Sequence, residues 1–392
     1  MRITVSVPGK FQPAYLWARW LESRDRLTRL LTPLPYGRVA AFGVSRSRTR
    51  ALAPVGVWNY AVQRFGPRWL QPANQIAVSA LFDLLASRAV GPCDVFNGWA
   101  SAALISLRAA HRRGLPTVLQ TGSAHILTQT ALLTEELERL GLAGVVTHPA
   151  VIRRTLAEYE EADLIVTPSR FVRQTFVERG VPESKLAVVC ETAMARVEPP
   201  AERPARETTR ILFVGRVDVR KGVPYLLEAF RRLDAKATLR LVGPVDRALL
   251  ERLRPLPDGV ELVGPRAGAA LAAEFREADF FVLPSVEDGF GLAAVEAMAA
   301  GLPIVVSDHA GCADLVDDGV NGFVTPARDA ATLADRMRTL ARDARLRAAM
   351  GRAAFATASR RTWGAYGVEM DRAYAALATP GRTGVPAHAR AM

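Results

Sequence analysis

Apolar residues along this 392-residue chain recur in two rhythms. Short unbroken apolar runs suit strands covered on both faces. Longer segments, with apolar positions every three or four residues, suit helices packed on one side. In the first half, strands are predicted at 2–8, 94–99, 116–120, 164–167 and 185–189. Helices are predicted at 13–23, 74–89, 100–113, 127–140 and 151–162. Residues 46–72 show neither period and read as irregular and basic. A proline-rich polar stretch at 197–206 reads as a linker. After it the alternation restarts, with strands at 210–214, 238–242, 260–263, 279–283 and 303–306. The helices between and after them are predicted at 223–233, 246–254, 269–276, 292–300 and 330–342. Such alternation implies an α/β fold of parallel sheets covered by helices, and the length implies two cores. Trp363, Tyr366, Met370 and Tyr374 form an apolar stripe on a last helix that must pack on something.

Two turns in the second half carry chemistry. The first, Gly215-Arg216-Val-Asp-Val-Arg220-Lys221-Gly222, follows a strand and precedes a helix. Arg216 and Lys221 in it can neutralise a diphosphate, although a solvated basic turn would look the same. The second, at 283–303, reads LPSVEDGFGLAAVEAMAAGLP. Its glycines permit close backbone approach, and the helix opening after Gly291 offers free amides and a partial positive charge to an anion. Glu287 and Asp288 before the turn, and Glu296 one helical turn inside, suit sugar hydroxyls better than phosphate. In a doubly wound domain both turns fall at the carboxyl edge of the sheet, where ligands bind. A pocket for phosphates and hydroxyls together is a pocket for a nucleotide-sugar.

The segments FVGRVDVRKGVPYLLEAF, PSVEDGFGLAAVEAMAAGLPIVVSD and DGVNGFVTP occur in order over about residues 209–327. They resemble the donor-binding half of glycosyltransferase family 4, the retaining enzymes of GT-B fold. The first half resembles the same family more loosely through DVFNGW, GSAHI and AEYEEADLIVTPSRFV. The resemblance implies two Rossmann-like domains facing across a cleft: an acceptor-side domain at 1–195, a linker at 196–208 and a donor-binding domain at 209–361. A helix at 362–378 is then expected to cross back to the first domain, ahead of a disordered tail at 379–392. The implied activity is retaining transfer of a sugar from a nucleotide diphosphate to a glycan or lipid-linked acceptor, as in envelope or exopolysaccharide synthesis. A binding protein of the same fold without transfer is the alternative.

By the same resemblance, Arg216 and Lys221 contact the donor diphosphate and Glu296 the ribose. Gly291 and Leu292 offer amides to phosphate, the segment ending at Arg266 lies under the base, and Gly9 faces the donor phosphates. The catalytic candidates are Asp288, standing where the family's first signature carboxylate is a glutamate, Glu287 as its substitute, and His125. A structural role for His125 is equally open. No cofactor or metal is implied, and uridine diphosphate is expected ahead of guanosine diphosphate as the carrier. The chain departs from the pattern in the loop after Val189, Cys-Glu-Thr-Ala-Met-Ala, which lacks the usual Asn-Gly turn. Gln12 and Asp314 also stand where similar chains carry His and Glu.

Charge adds one expectation. The net charge is +12, and residues 1–113 hold about 16 Lys/Arg against about 4 Asp/Glu. That asymmetry suits an anionic partner, although an arginine-rich composition alone would produce it. Trp17 and Trp20 beside arginines read as core or, alternatively, as contacts to an anionic membrane. No nucleic-acid motif occurs, and three scattered cysteines suit neither a disulfide framework nor a zinc site. A cytoplasmic protein, peripheral at the inner face of the plasma membrane, is the resulting expectation.

Overall fold

The computed structural model describes residues 1–67, 71–142, 144, 146–192, 206–375 and 377. The first sheet contains β1 (Ile3–Ser6), β2 (Leu27–Thr32), β3 (Thr49–Ala51), β4 (Val95–Trp99), β5 (Thr117–Gln120), β6 (Leu164–Thr167) and β7 (Leu186–Val188). Their spatial order is β3-β2-β1-β4-β5-β6-β7. The second sheet contains β8 (Thr209–Val214), β9 (Ala237–Val242), β10 (Val260–Leu262), β11 (Phe280–Leu283), β12 (Ile304–Ser307) and β13 (Gly322–Thr325), in the order β10-β9-β8-β11-β12-β13. The pairings are parallel throughout, including β1 with β4 and β8 with β11. At those two pairs the strand order reverses, which opens a crevice at the carboxyl edge of each sheet.

The strands are apolar for a simple reason. β11 is Phe-Phe-Val-Leu and is buried at every position, as a strand with helices on both faces must be. In β5, Val118 joins the core on one face of the first sheet and Leu119 the core on the other. The second sheet follows the predicted strands to within about a residue at each end, and β13 adds a strand at its edge. The first domain differs more. β2 pairs with β1 and β3 with β2 at the sheet edge, where no strand was predicted, because Arg29 and Arg50 interrupt their apolar runs. The stretch read as irregular contains β3 and the helix Ala53–Phe65. A further helix, Arg170–Val177, follows β6, with Ser169 as its N-cap accepting from the Val172 amide. The expected tail at 379–392, and most of the expected linker, lie outside the described residues.

The helix Trp363–Ala375 packs on the first domain. Trp17, on the helix Gln12–Glu22, meets Tyr366 edge-on at 5.7 Å and Tyr374 at 6.2 Å. The Tyr374 hydroxyl accepts from the Asn97 amide at 2.6 Å, and Arg26 pairs with Asp371 at 2.5 Å. Gly367 is required here, because a Cβ at that position would lie 2.1 Å from the Trp20 indole. The membrane reading of Trp17 and Trp20 does not survive. The two rings stack at 5.1 Å and are buried under this last helix. Among the described residues, no helix is long and apolar enough to cross a membrane.

Candidate functional site

The two glycine turns converge beyond the ends of β8 and β11. Gly222 has a φ of 70°, and a Cβ there would meet the Pro284 carbonyl oxygen at 1.7 Å. Glycine alone therefore lets the turns touch. Gly291, at φ 86°, caps the helix Leu292–Ala299 and sets its first turn against the end of β11. Lys221 from the first turn forms an ion pair with Asp288 from the second. Between them lies a cavity of about 290 Å³, lined on this side by Gly215, Lys221, Asp288, Gly291, Leu292 and Ala293. The amides of a helix's first turn lack intrahelical acceptors and carry partial positive charge. With the Lys221 ammonium they make this wall attractive to an anion.

The opposite wall belongs to the first domain and consists of Phe11, Gly122 and Glu191. Phe11 follows β1, Gly122 follows β5 and Glu191 follows β7, so each stands at the carboxyl edge of the first sheet. Burial drives the Glu191 carboxyl up to about 8, with Asp288 adding to the effect. Glu296, one turn into its helix, is pushed up to about 7 by burial. Both acids sit in a range where neutral pH leaves them partly or wholly uncharged.

Beside the cavity the domains are clasped. Fully buried Glu287 accepts at Oε1 from the Ala124 amide at 2.8 Å. At Oε2 it accepts from Gln129 at 2.9 Å and from Arg220 at 2.7 Å. Ser169 donates to the Gly289 carbonyl at 2.9 Å, and a Cβ on Gly289 would strike the Gly122 carbonyl oxygen at 2.1 Å. Arg170 binds Asp314 through its backbone amide at 2.7 Å and its guanidinium at 3.0 Å. Farther along, buried Glu136 accepts from Tyr225 at 2.8 Å and pairs with Arg328 at 2.8 Å.

These contacts sort the residues singled out in the sequence. Lys221, Asp288, Gly291 and Leu292 come together on one wall. Glu296 lies on the same helix, and among the described residues nothing hydrogen-bonds its carboxyl. Arg216 is largely exposed and pairs with Asp218 at 3.3 Å, outside the cavity lining. Arg266 is exposed, with its guanidinium on the adjacent Pro265 carbonyl. The Gly9 carbonyl accepts the Tyr15 hydroxyl at 2.9 Å, and Gly9 is not among the residues that line the cavity.

Two of the catalytic candidates are placed elsewhere. Glu287 is outside the cavity wall, with both oxygens occupied in the clasp. His125 is buried as the N-cap of the helix Ile126–Arg139, its Nδ1 accepting from the Leu127 amide at 3.3 Å. Its ring lies 5.0 Å from both Tyr159 and Phe176, and burial lowers its pKa to about 4, which keeps it neutral. The sequence reading missed Phe11, Gly122, Glu191 and the clasp role of Arg220. For the first three a positional signal exists, since each follows a strand of the first sheet at its ligand edge. Among the described residues, no group of three or more His, Cys, Asp and Glu is arranged to hold a metal ion.

Residues 208–343 match the model of the family described as glycosyl transferases group 1. A D-inositol 3-phosphate glycosyltransferase of Corynebacterium kroppenstedtii is 35% identical over 169 residues, covering 40% of this chain and 38% of that protein. A putative colanic acid biosynthesis glycosyltransferase of Escherichia coli, WcaL, is 31% identical over 207 residues, 48% of this chain and 50% of that one. The chain thus spans about half the length, or less, of these curated relatives. Among solved structures, Anabaena Alr3699/HepE in complex with UDP matches with a TM-score of 0.69 at 17% identity, covering 96% of this chain and 100% of that one. Residues 208–343 thus resemble the group 1 glycosyltransferase segment of these relatives, and the two-sheet chain as a whole has the GT-B fold.

Proposed function

We propose that this protein is a retaining glycosyltransferase of family 4 that takes a sugar from a nucleotide diphosphate donor, with uridine diphosphate the preferred carrier. The observation that carries this reading is the meeting of Lys221, Asp288 and the helix N-terminus at Leu292 around one cavity at the sheet's switch point. A departing diphosphate gathers negative charge as the glycosidic bond breaks. A lysine and fixed amides already aimed at that position stabilise the charge without reorganising. Asp288 releases Lys221 to the diphosphate on donor binding and turns its carboxylate to the sugar hydroxyls, while Glu296 accepts from the ribose. The nucleotide in the matched Anabaena complex supports a uridine carrier. The polysaccharide role in the name of the Escherichia coli relative supports a glycan or lipid-linked acceptor, approaching from the side of Phe11 and Gly122.

The test is a binding and hydrolysis screen across UDP-, GDP- and ADP-sugars, with Lys221→Ala alongside wild type. One donor bound and slowly hydrolysed by wild type alone is the expected result. Retention is read separately, from the anomeric configuration of the product by NMR. Donor binding without turnover, even with acceptor mixtures, would favour a nucleotide-sugar-binding protein. That second reading has one observation behind it: the ion pair with Asp288 occupies the lysine needed by the diphosphate.

A further inference from the structure

We propose that Glu191 is a sugar-reading residue, whose carboxyl hydrogen-bonds a hydroxyl of the glycosyl group held in the cavity between Lys221, Asp288 and Gly122. The inference rests on the nucleotide-sugar reading above and assigns it a residue from the opposite domain. Glu191 lines the cavity and is nine-tenths buried. Among the described residues, no donor reaches its carboxyl oxygens. Those oxygens are not sealed from solvent, so they open onto the cavity, where a ligand hydroxyl can take the place of water. The carboxylates around it show the contrast: Glu287, Asp288 and Asp314 are each paired with a cation. Of the two carboxylates that line the cavity, Asp288 is paired and Glu191 is left open toward the ligand space; Glu296, likewise unpaired, lies outside that lining.

Its surroundings are built to hold it there. The carbonyl of the preceding Cys190 accepts from Arg361, and the following Thr192 donates to the Arg361 carbonyl, so the backbone is gripped on both sides. Arg361 is itself anchored to Glu369 at 2.6 Å. The titratable groups facing Glu191 are Asp288 and Lys221 across the cavity and Tyr366 from the last helix. Arg361 and Glu369 neutralise each other, and Asp314 is committed to Arg170. Burial, with a smaller contribution from Asp288, favours the neutral acid. A neutral carboxyl donates one hydrogen bond and accepts another, which suits a hydroxyl and repels no diphosphate.

The test compares the affinities of a nucleotide-sugar and its bare nucleoside diphosphate, UDP-glucose with UDP first and the GDP and ADP pairs next, by calorimetry on the full chain. For Glu191→Ala the sugar-nucleotide is expected to weaken about tenfold or more and the nucleoside diphosphate less than about twofold. Glu191→Gln, an uncharged isostere, is expected to bind near wild type at pH 7. It should also lose the fall in sugar-nucleotide affinity that wild type shows above about pH 8. Equal weakening of both ligands in Glu191→Ala would make the residue a structural one and overturn the proposal. No weakening, or an alkaline limb that persists in Glu191→Gln, would overturn it as well. If no nucleotide binds wild type at all, the donor reading fails first, and the role of Glu191 falls with it.

Discussion

The two walls of the cleft are made in different ways. The wall from the second domain is backbone and turn: two loops forced together by glycines, a helix N-terminus and one lysine. The wall from the first domain is side chain, with Phe11 and Glu191 projecting from strand ends around Gly122. A backbone wall suits the part of a ligand that is always the same, such as a diphosphate. A side-chain wall can differ between chains and suits the part that varies, such as a sugar. The adjacent pair Glu287 and Asp288 divides between the two tasks. Asp288 faces the cavity, whereas Glu287 points the other way and fastens one wall to the other.

The largest expected effect comes from breaking that fastening. Glu287→Ala leaves the Ala124 amide, the Gln129 amide and the one-third-exposed Arg220 guanidinium without their shared buried acceptor. Stranding the buried amide donors while Arg220 keeps partial access to solvent costs about 2–4 kcal/mol. A lower urea midpoint and loss of activity together are the expected result. Undiminished stability with lost activity would instead return Glu287 to the catalytic group. Next in size is Lys221→Ala, which removes the one side-chain cation in the cavity wall among the described residues. Donor hydrolysis is expected to fall on the order of 10²–10³-fold with the fold retained, by analogy with loss of a single charge-stabilising donor. A loss confined to KM would show that Lys221 only binds.

How legible each wall was follows from its construction. The second-domain wall could be read because glycine turns between an apolar strand and a helix are local patterns. Gly215, Gly222 and Gly291 mark the turns, and Lys221 lies within one of them. The first-domain wall is assembled from residues far apart in the chain, 11, 122 and 191, joined only by the strand order β1-β4-β5-β6-β7. No local pattern records that order. Glu287 misled for a related reason, since its partners Ala124 and Gln129 lie in the other domain. Strands β2 and β3 were hidden because arginines interrupt their apolar runs, Arg29 at a half-buried position and Arg50 at an exposed one.

A smaller effect separates the walls by pH. Glu296, near pKa 7 without ligand, is on the second wall's helix. A carboxylate accepting ribose hydroxyls is favoured in its ionised form, so the complex has the lower pKa. Affinity for UDP is then complete above about pH 7 and falls up to about tenfold per pH unit below it, until the pKa of the complex is reached. Calorimetry at pH 6, 7 and 8 would show this, and Glu296→Gln should flatten it. The direction is opposite to that expected of Glu191, which binds in its neutral form and fails on the alkaline side. A donor whose affinity is independent of pH on the acid side would remove Glu296 from the ribose.

The smallest expected effect is at His125, and it decides how far the first wall extends. The histidine follows β5 as Gly122 does, yet its ring turns inward to Tyr159 and Phe176 while its Nδ1 caps a helix. Asparagine can accept the same amide hydrogen bond but lacks the imidazole. His125→Asn should therefore keep the cap and lose some aromatic packing, worth about 1 kcal/mol or slightly more. Donor hydrolysis is expected to stay within about threefold of wild type, with an unchanged pH profile. A drop of 10²-fold or more at normal stability would mean that the ring reaches the sugar in the liganded state. The first wall would then have to rearrange on binding, since nothing in the present packing lets an imidazole held between two aromatic rings reach the cavity without breaking its cap.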